Sequence, residues 1–543
     1  MVRQLVSIVA VLFASVAIEA QGSAPIGCEV IRPVAEADLL RSTMAALSQG
    51  GKRRSVGAVL NPIEIDLLEV YGPELLRGAG SAEAAKRIVQ YQVDAANQTL
   101  SDSGLGNVRL RLRHVRFSPH YDRFPADATG PEILQDRQYF GADLLGFAVG
   151  EMPTGFVGGA CRPPAYGPDC STHWVHQGNF RQNPLPFVHE LGHNLGADHD
   201  APNAMPREFD PHPFARAYCV PGQWRTVMSY GSPCNAAPVL LFSNPNRMFG
   251  GLSTGVPDEA DNARAIAFSA PRVRDYYPAT QNTGPRCEFR ITFDGSEVPV
   301  AGTTRMVIAE RTRGDCEPAI TAINEWVRIE VAPNATPERT EAQVTYLPNG
   351  EPLSRRGHFV VGEQPVTIEQ TGAAACLLPN GSFDHDVSGW AVRESYPGAG
   401  TLSWSPVDAD GKPDSGSATI AVNGGHFAIE RCVAVEPSSQ YVMRSSVFIP
   451  PGQKAGMNDF PATQIVSLFD TPDCSGSDMG FGDSLANIAG MWLRLESPIR
   501  TYTNTRSAML RLYVIVPGAP FTTYYDDLQF CRIGDAPAQA ENE

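Results

Sequence analysis

The chain has 543 residues, of which 43% are hydrophobic and 19% charged, so it is long enough for three or four globular domains and too apolar to be disordered. Its formal net charge of -16 at pH 7 argues against nucleic acid or an anionic membrane as a partner, because both require clustered positive charge. The eleven cysteines favour disulfide bonds over free thiols in an exported chain, and one of them must remain unpaired.

The first twenty residues are typical of a secretory signal peptide. Arg3 precedes an apolar run over residues 5–17, and the small residue Ala20 places the cleavage near Gln21. No later stretch is long and apolar enough to span a bilayer. We therefore expect a secreted, extracellular protein whose residues 21–54 form a short propeptide or N-terminal segment.

Residues 55–278 have the pattern of an α/β domain. Alternating apolar residues predict a strand over residues 63–67, and Ser81 can cap a helix with an apolar stripe. A second strand follows from Val108, and its phase shifts at His114, which indicates a bulge. A strand, a helix and a strand in this order predict a βαβ unit with parallel strands.

Three further features complete the prediction for this domain. A third strand is expected over residues 143–149, a helix beginning near Pro186, and a last helix around residues 263–270. The arginines of the second strand are interpreted as a solvated face rather than a binding patch; they are Arg109, Arg111 and Arg113.

A histidine motif lies on the helix that begins near Pro186. His189 and His193 are four residues apart, so both imidazoles leave the same helix face and can meet one metal ion. Gly196 can adopt the left-handed conformation that ends a helix, which lets His199 supply a third ligand. Three protein ligands leave a fourth position open, as in a catalytic zinc site, and Glu190 is placed to act on water rather than to bind the metal.

A second motif follows at residues 226–231, with the sequence TVMSYG. It resembles the Met-turn of the metzincin zinc peptidases, and the chain is identified with that superfamily by the two motifs together. The resemblance implies a twisted mixed sheet with long helices around a cleft, one catalytic zinc ion, and an apolar floor formed by Met228 beneath the ligands. It indicates no structural calcium, although it does not exclude one.

The branch of the superfamily is indicated by Asp200, which follows the third histidine as in the reprolysin-like (adamalysin-like) group. Residues 242–246 (FSNPN) and 261–266 (DNARAI) also resemble the end of bacterial members of that branch. Tyr230 occupies the position of a mobile zinc ligand and transition-state donor in other branches. For Tyr230 two interpretations stay open, a partner of the zinc site and a structural hydroxyl.

The cysteines suggest a disulfide framework. Cys219 and Cys234 bracket the Met-turn, Cys161 and Cys170 would close a loop before the zinc helix, and Cys287 with Cys316 would staple a later unit. Four more cysteines fall together between Cys376 and Cys531, which leaves Cys28 over. By analogy with the cysteine switch of other metzincins, its thiolate could occupy the open zinc position of a zymogen, and the alternative is an unpaired or intermolecularly bridged cysteine.

The rest of the chain predicts two all-β sandwich domains, so the fold class is an α/β metzincin domain followed by two such sandwiches. Residues 286–373 resemble a BACON module, interpreted as a rigid spacer in preference to a glycan-binding unit. Residues 376–534 resemble a carbohydrate-binding jelly-roll, in which the terminal strands lie together; this favours Cys376–Cys531 and Cys432–Cys474 among three pairings. Aromatic residues there, among them Trp390, are interpreted as core residues in preference to a surface that stacks on glycans. Residues 535–543 are interpreted as a disordered tail.

These features predict a secreted zinc endopeptidase acting on proteins or peptides. Glu190 would serve as general base and then as acid, and Tyr230 is a candidate for stabilising the oxyanion. The C-terminal domains would direct the enzyme to glycoproteins or cell-surface polymers. The alternative is a secreted glycan- or surface-binding protein whose metzincin domain is not catalytic, although an intact Glu190 argues against it.

Overall fold

The computed structural model describes one short N-terminal strand and most of the chain from residue 62 onward. The described residues are 28–31, 62–120, 130–152, 158–161, 171–204, 212–351, 353–372, 376–393, 400–409, 415–450, 453, 460–486, 489–490 and 492–535. The predicted signal peptide, most of residues 21–54, Cys170 and residues 536–543 of the predicted tail lie outside them. Within these ranges no helix is long and apolar enough to cross a membrane.

A mixed six-stranded sheet forms the centre of the first unit. Its strands are β1 (Cys28–Ile31), β2 (Ile63–Tyr71), β3 (Val108–Phe117), β4 (Leu144–Val149), β5 (Gly158–Cys161) and β6 (Thr172–His176). They are ordered β1-β5-β6-β4-β2-β3; neighbours among β6, β4, β2 and β3 are parallel, whereas β5 pairs antiparallel with both β6 and β1. The parallel β2 and β3 confirm the predicted βαβ unit.

Six helices are described with this sheet: α1 (Pro73–Ala79), α2 (Ala82–Asp102), α3 (Pro131–Phe140), α4 (Gln177–Gln182), α5 (Pro184–Asn194) and α6 (Asn262–Val273). Helix α2 begins as predicted, because the Ser81 hydroxyl accepts a hydrogen bond from the Ala84 N–H. Its predicted apolar stripe is buried, and its members are Ala85, Val89, Val93, Ala96 and Leu100. This stripe shares one core with α5.

The sheet is buried on both faces. On β2, Ile65 and Leu67 belong to the core shared with α2 and α5, whereas Leu68 and Val70 pack in a second core with Ile133 of α3. Alternate residues of a strand point to opposite faces, so this division follows from the strand geometry. Parallel strands covered on both sides are the usual arrangement for such sheets.

The predicted bulge in β3 is present and has a structural role. Leu67 pairs with Leu112 and Leu68 with His114, so Arg113 is the extra residue. Its side chain is only 7% exposed; it forms an ion pair with Asp66 and donates to the carbonyl of Asn282. The prediction of a solvated arginine face was therefore wrong for Arg113, because Asp66 and the segment that follows α6 cover this side chain.

Residues 212–261 contain little regular structure. Their short strands are β7 (Cys219–Val220), β8 (Trp224–Arg225), β9 (Ala237–Pro238), β10 (Met248–Phe249) and β11 (Leu252–Ser253). The first three form a small sheet in the order β7-β8-β9, and β10 and β11 pair as a hairpin.

The second unit consists of two four-stranded sheets around one apolar core. Its strands are β12 (Glu288–Thr292), β13 (Glu297–Val298), β14 (Thr303–Arg313), β15 (Ile320–Ala322), β16 (Val327–Val331), β17 (Arg339–Tyr346), β18 (Arg355–Val361) and β19 (Gln364–Gln370). The sheet orders are β12-β14-β17-β16 and β13-β19-β18-β15. This is the two-layer arrangement of a β-sandwich.

The third unit is also built from strands alone in its described part. They are β20 (Ala391–Val392), β21 (Gly400–Ser405), β22 (Ser417–Ala434), β23 (Ser439–Phe448), β24 (Phe460–Phe469), β25 (Asp478–Ala486), β26 (Trp492–Arg500) and β27 (Ser507–Asp535). The long strand β27 pairs with β22, β23 and β24. Trp390 is buried in the core of this unit, as its core interpretation required.

The first and second units are joined by buried charges. Arg116 of β3 pairs with Asp136 of α3 and with Glu363, which lies between β18 and β19. Arg286, just before β12, pairs with the same Asp136 carboxylate at 2.6 Å. Val360 of β18 also belongs to the core of the first unit.

We predict that Asp143→Asn weakens the pH dependence of thermal stability. Burial raises the pKa of the Asp143 carboxyl to about 7 in the folded chain, against about 4 when unfolded. Between these values the unfolded chain has lost a proton that the folded chain keeps, so the free energy of unfolding falls as pH rises through the interval. The variant carries no ionisable group at this position, so its melting temperature should fall less than that of the wild type between about pH 4 and pH 7. Equal losses in both proteins, measured by circular dichroism, would contradict the assignment.

Candidate metal centre

Helix α5 presents the first two histidines. It begins at Pro184, two residues before the predicted start, and the Asn183 side chain caps it by accepting from the Leu185 N–H. Proline suits the first helical position because its missing N–H would be unpaired there in any case. His189 and His193 are both buried on this helix.

A tight turn then brings in the third histidine. Gly196 has φ +89°, the left-handed conformation expected for it. The Ala197 N–H donates to the Gly192 carbonyl, which closes the helix end. The chain reverses at this point, so His199 approaches the same side of the helix as His189 and His193.

The three imidazoles converge through their Nε2 atoms. The Nε2 of His199 lies 3.0 Å from that of His189 and 3.1 Å from that of His193. All three rings are buried, and His199 is fully so. The three residues form one of the two groups of potential metal ligands found in the described ranges; the other includes Cys287 and Cys316, which are joined by a disulfide.

Backbone carbonyls determine which nitrogen of each ring carries the proton. The Nδ1 atoms of His189, His193 and His199 lie 2.9, 3.0 and 3.2 Å from the carbonyl oxygens of Val227, Ala197 and Asn203. A carbonyl only accepts, so each neutral ring must carry its proton on Nδ1 and present a lone pair at Nε2. Three lone pairs that face one another repel unless a cation lies between them.

This donor set fits zinc. Zinc binds neutral imidazole nitrogen at about 2.0–2.1 Å, and a catalytic site uses three protein ligands. The hydrogen bond from the opposite ring nitrogen to a carbonyl is the usual means of orienting a metal-binding histidine. Together the buried lone pairs and their fixed tautomers favour a metal ion over a hydrogen-bonded histidine cluster.

Met228 packs against α5 next to the ligands. It is fully buried, and a Cβ added to Gly192 would stand 2.5 Å from its sulfur. Gly192 lies between His189 and His193 on the helix, so the methionine contacts the backbone that carries both ligands. The Val227 carbonyl beside it holds His189, which ties the Met-turn directly to a ligand.

Asp200 links the third ligand to the Met-turn. Its Oδ1 accepts from the Tyr230 N–H at 2.9 Å, and its Oδ2 accepts from the Asn203 side-chain amide at 3.0 Å. The Tyr230 ring lies 4.2 Å from the His199 ring, centroid to centroid. Tyr230 therefore stands beside the ligands.

A second set of contacts, not anticipated from the sequence, supports the segment before His199. Arg216 forms a buried ion pair with Asp198 at 2.5 Å. Asn262, at the start of α6, accepts from the Asp198 N–H and donates to the Asp198 carbonyl. This gives the DNARAI motif a physical role, because its asparagine holds the chain one residue before a ligand.

Glu190 is fully buried beside the two helical ligands. A Cβ added to Gly158 of β5 would stand 2.6 Å from its Oε1, so the backbone of the antiparallel strand passes directly over this carboxylate. The sequence offered only the Gly158-Gly159 pair as a signal for this contact. Because only glycine fits there, the close approach of β5 to Glu190 depends on it.

The described disulfides match four of the predicted pairs: Cys219–Cys234, Cys287–Cys316, Cys376–Cys531 and Cys432–Cys474. The first encloses the Met-turn. The predicted Cys161–Cys170 bond lies outside the described residues. The backbone of Cys28 in β1 lies opposite Cys161 of β5, and Ile31 lies opposite Gly158.

Residues 64–239 match the family model Reprolysin_5, described as metallo-peptidase family M12. The matched segment, which contains α5, the three histidines and Met228, supports a metallopeptidase. A peptidyl-Asp metalloendopeptidase of Xanthomonas campestris pv. campestris is 35% identical over 80 residues, which are 15% of this chain and 19% of that protein. One from Stenotrophomonas maltophilia (strain R551-3) is 31% identical over 83 residues, 15% of this chain and 20% of that protein. The chain thus spans about a fifth of the length of these curated relatives.

Comparison with solved structures gives only weak overall similarity. A chaperone–substrate complex aligns with a TM-score of 0.32 and 19% identity, covering 40% of this chain and 36% of that chain. A carbohydrate-binding module of the β-sandwich superfamily aligns with a TM-score of 0.25 and 15% identity, covering 46% of this chain and 98% of that chain. We draw no conclusion from similarities at this level.

We predict that Gly192→Ala weakens zinc binding, because the added methyl group would displace the Met228 sulfur or the helix carrying His189 and His193. Disturbing the surroundings of metal ligands typically costs about 10–100-fold in affinity. Competition with a chromogenic chelator measures the loss. The control is Gly231→Ala, since a Cβ there has no heavy atom within 4 Å; equal affinities in the two variants would refute the role of this contact.

Proposed function

We propose that the protein is a secreted zinc-dependent endopeptidase that hydrolyses peptide bonds. The observation that carries the proposal is the convergence of three imidazole lone pairs beside the buried carboxylate of Glu190. Such a site combines a metal with an open position and a general base, which is the arrangement needed for attack by water. The family match over residues 64–239 supports the same chemistry.

Zinc, when bound by His189, His193 and His199, would supply Lewis acidity that activates water and polarises the substrate carbonyl. Glu190 would accept the proton of the attacking water and then donate it to the leaving amine. Its burial keeps solvent from competing for that proton. Tyr230, whose ring lies against His199, is the candidate donor to the developing oxyanion.

The substrate class we propose is protein or peptide. The curated relatives are called peptidyl-Asp metalloendopeptidases, so peptides containing aspartate belong in the first substrate panel beside casein. The relatives match only 80 to 83 residues of this chain, so the specificity in their names is one candidate for the panel to test.

The second and third units support a role in directing the enzyme. Aromatic side chains on the third unit are exposed: Phe481 by 55%, Tyr502 by 43% and Trp404 by 39%. Aromatic faces of this kind can stack on sugar rings, so glycoproteins or cell-surface polymers are the proposed target. Four disulfides across the described units suit an oxidising, extracellular compartment, in agreement with the predicted signal peptide.

We predict that Glu190→Gln abolishes proteolysis of casein while zinc remains bound. The substitution preserves the size of the side chain but removes its ability to carry a proton between water and amine. Activity and zinc content are measured on the same processed samples. Glu259→Gln makes the same chemical change at an exposed position and should leave activity unchanged.

Two outcomes of this experiment would contradict the proposal. An active Glu190→Gln enzyme would refute the role of Glu190 as the base. A wild type that holds zinc but cleaves neither casein nor the aspartate peptides, after confirmed removal of the residues before Ser55, would favour the alternative of a surface-binding protein.

We propose that residues 21–54 keep the enzyme latent. Strand β1 of this segment pairs with β5, the strand that passes over Glu190, and so covers the sheet edge beside the proposed catalytic centre. The register puts Ile31 opposite Gly158, whereas Cys28 lies three residues away along the strand, or about 10 Å. Pairing of β1 with β5 is therefore our first candidate for the cause of latency, and a Cys28 thiolate bound to zinc is the second.

We predict that the intact secreted chain is inactive on casein, that Cys28→Ser stays inactive, and that cleavage before Ser55 activates both. Strand pairing uses backbone hydrogen bonds, which the serine variant retains. Casein cleavage before and after removal of the segment is the measurement. An active, unprocessed Cys28→Ser chain would instead establish the thiolate switch.

A further inference from the structure

A buried polar chain outside the zinc site runs from the sheet to the end of α5. Glu69 of β2 and His173 of β6 are fully buried, and Asn194, the last residue of α5, is 3% exposed. His173 Nε2 lies 2.9 Å from Glu69 Oε1, and His173 Nδ1 lies 2.9 Å from Asn194 Oδ1. The Asn194 amide nitrogen donates to the Thr172 carbonyl at 3.0 Å.

The hydrogen-bond partners specify where the protons lie. Because the Thr172 carbonyl can only accept, the Asn194 NH₂ group must face it, and the Asn194 oxygen must therefore face His173. His173 consequently donates from Nδ1. A further proton lies between His173 Nε2 and Glu69 Oε1, so the buried pair is neutral overall, either as acid and imidazole or as carboxylate and imidazolium.

Two observations show how tightly this chain is enclosed. A Cβ added to Gly146 of β4, the strand between β2 and β6, would stand 1.9 Å from Glu69 Oε1 and 2.4 Å from His173 Nε2. The Phe187 ring of α5 packs edge-on to the His173 ring with 5.4 Å between centroids. Burial raises the pKa of Glu69, which favours the form in which its acid donates to His173.

We propose that Glu69 and His173 are positioning residues for the zinc ligands and act through Asn194. This inference rests on the proposed function and deepens it. Asn194 directly follows His193, and it is held to the sheet at two points, the Thr172 carbonyl and His173. The polar chain thus sets the position of the helix end that carries His193 relative to His199, and it does so from the central strands rather than from the loops around the metal.

The physical basis is the sensitivity of a metal site to small displacements. The Nε2 atoms of His189 and His193 each lie about 3 Å from that of His199, and orienting groups behind ligands are commonly worth about 10–100-fold in affinity or activity. A purely structural network would instead affect melting temperature while leaving the zinc affinity of the folded protein unchanged.

The test compares Glu69→Gln with Glu69→Met in the full processed chain. Glutamine can still donate to His173 Nε2, whereas methionine has similar length and no donor. We expect Glu69→Gln to retain wild-type zinc affinity and Glu69→Met to lose about tenfold or more, with a fall in kcat and little change in KM. Zinc affinity is measured by chelator competition, and the absorption spectrum of the cobalt-substituted protein reports the ligand geometry.

Asn194→Ala is the second variant, in case Glu69→Met does not fold. It removes the hydrogen bonds from the Asn194 side chain to His173 and to the Thr172 carbonyl. It leaves the Glu69–His173 pair in place and introduces a residue that helices favour. The same loss of zinc affinity is expected. Wild-type zinc affinity and an unchanged cobalt spectrum in folded Asn194→Ala would overturn the proposal. A wild type that binds zinc without cleaving peptides would overturn the proposed function alone, since the affinity comparison does not depend on activity.

Discussion

Three histidine lone pairs directed at one point are the constraint on which the first unit depends. Each Nε2 directs its lone pair at that point, because the opposite nitrogen of its ring carries the proton and donates it to a backbone carbonyl. The carbonyls belong to Val227, Ala197 and Asn203, which lie in three separate segments. The Met-turn, the turn after α5 and the loop after His199 must therefore all be in place before the ligands converge. Without a cation this arrangement is repulsive, so metal binding and local folding should stabilise each other.

The parts of the site that could be predicted from the sequence are those set by local spacing. Two histidines four residues apart share a helix face, and Gly196 ends that helix in the left-handed conformation, so the ligand positions follow from backbone geometry alone. The bulge in β3 was visible for the same reason, as a shift in the two-residue alternation. The position of Arg113 was not, because its exposure depends on the segment after α6, more than 160 residues away.

The supporting contacts could not be predicted from the sequence, because they too join residues that are distant in the chain. Gly158 against Glu190, Arg216 with Asp198, and Glu69 with His173 each join residues from different elements. None of these pairs has a periodic spacing, and each residue type has an ordinary role in a loop or strand. Only the tertiary packing of the first unit brings them together. Polar groups enclosed in this way are costly unless they are paired, which is why Asp198 and Glu69 each have a buried side-chain partner.

The second and third units bear on how the proposed enzyme would meet large substrates. Arg116, Asp136, Arg286 and Glu363 form a largely buried cluster across the first and second units, and removing one member would leave a buried charge uncompensated. The second and third units also share a small core around Leu353, Val442 and Cys531. The second unit therefore contacts both of its neighbours through buried side chains. If the third unit holds a polymer, as we propose, these contacts would restrict which bonds of the tethered substrate reach Glu190.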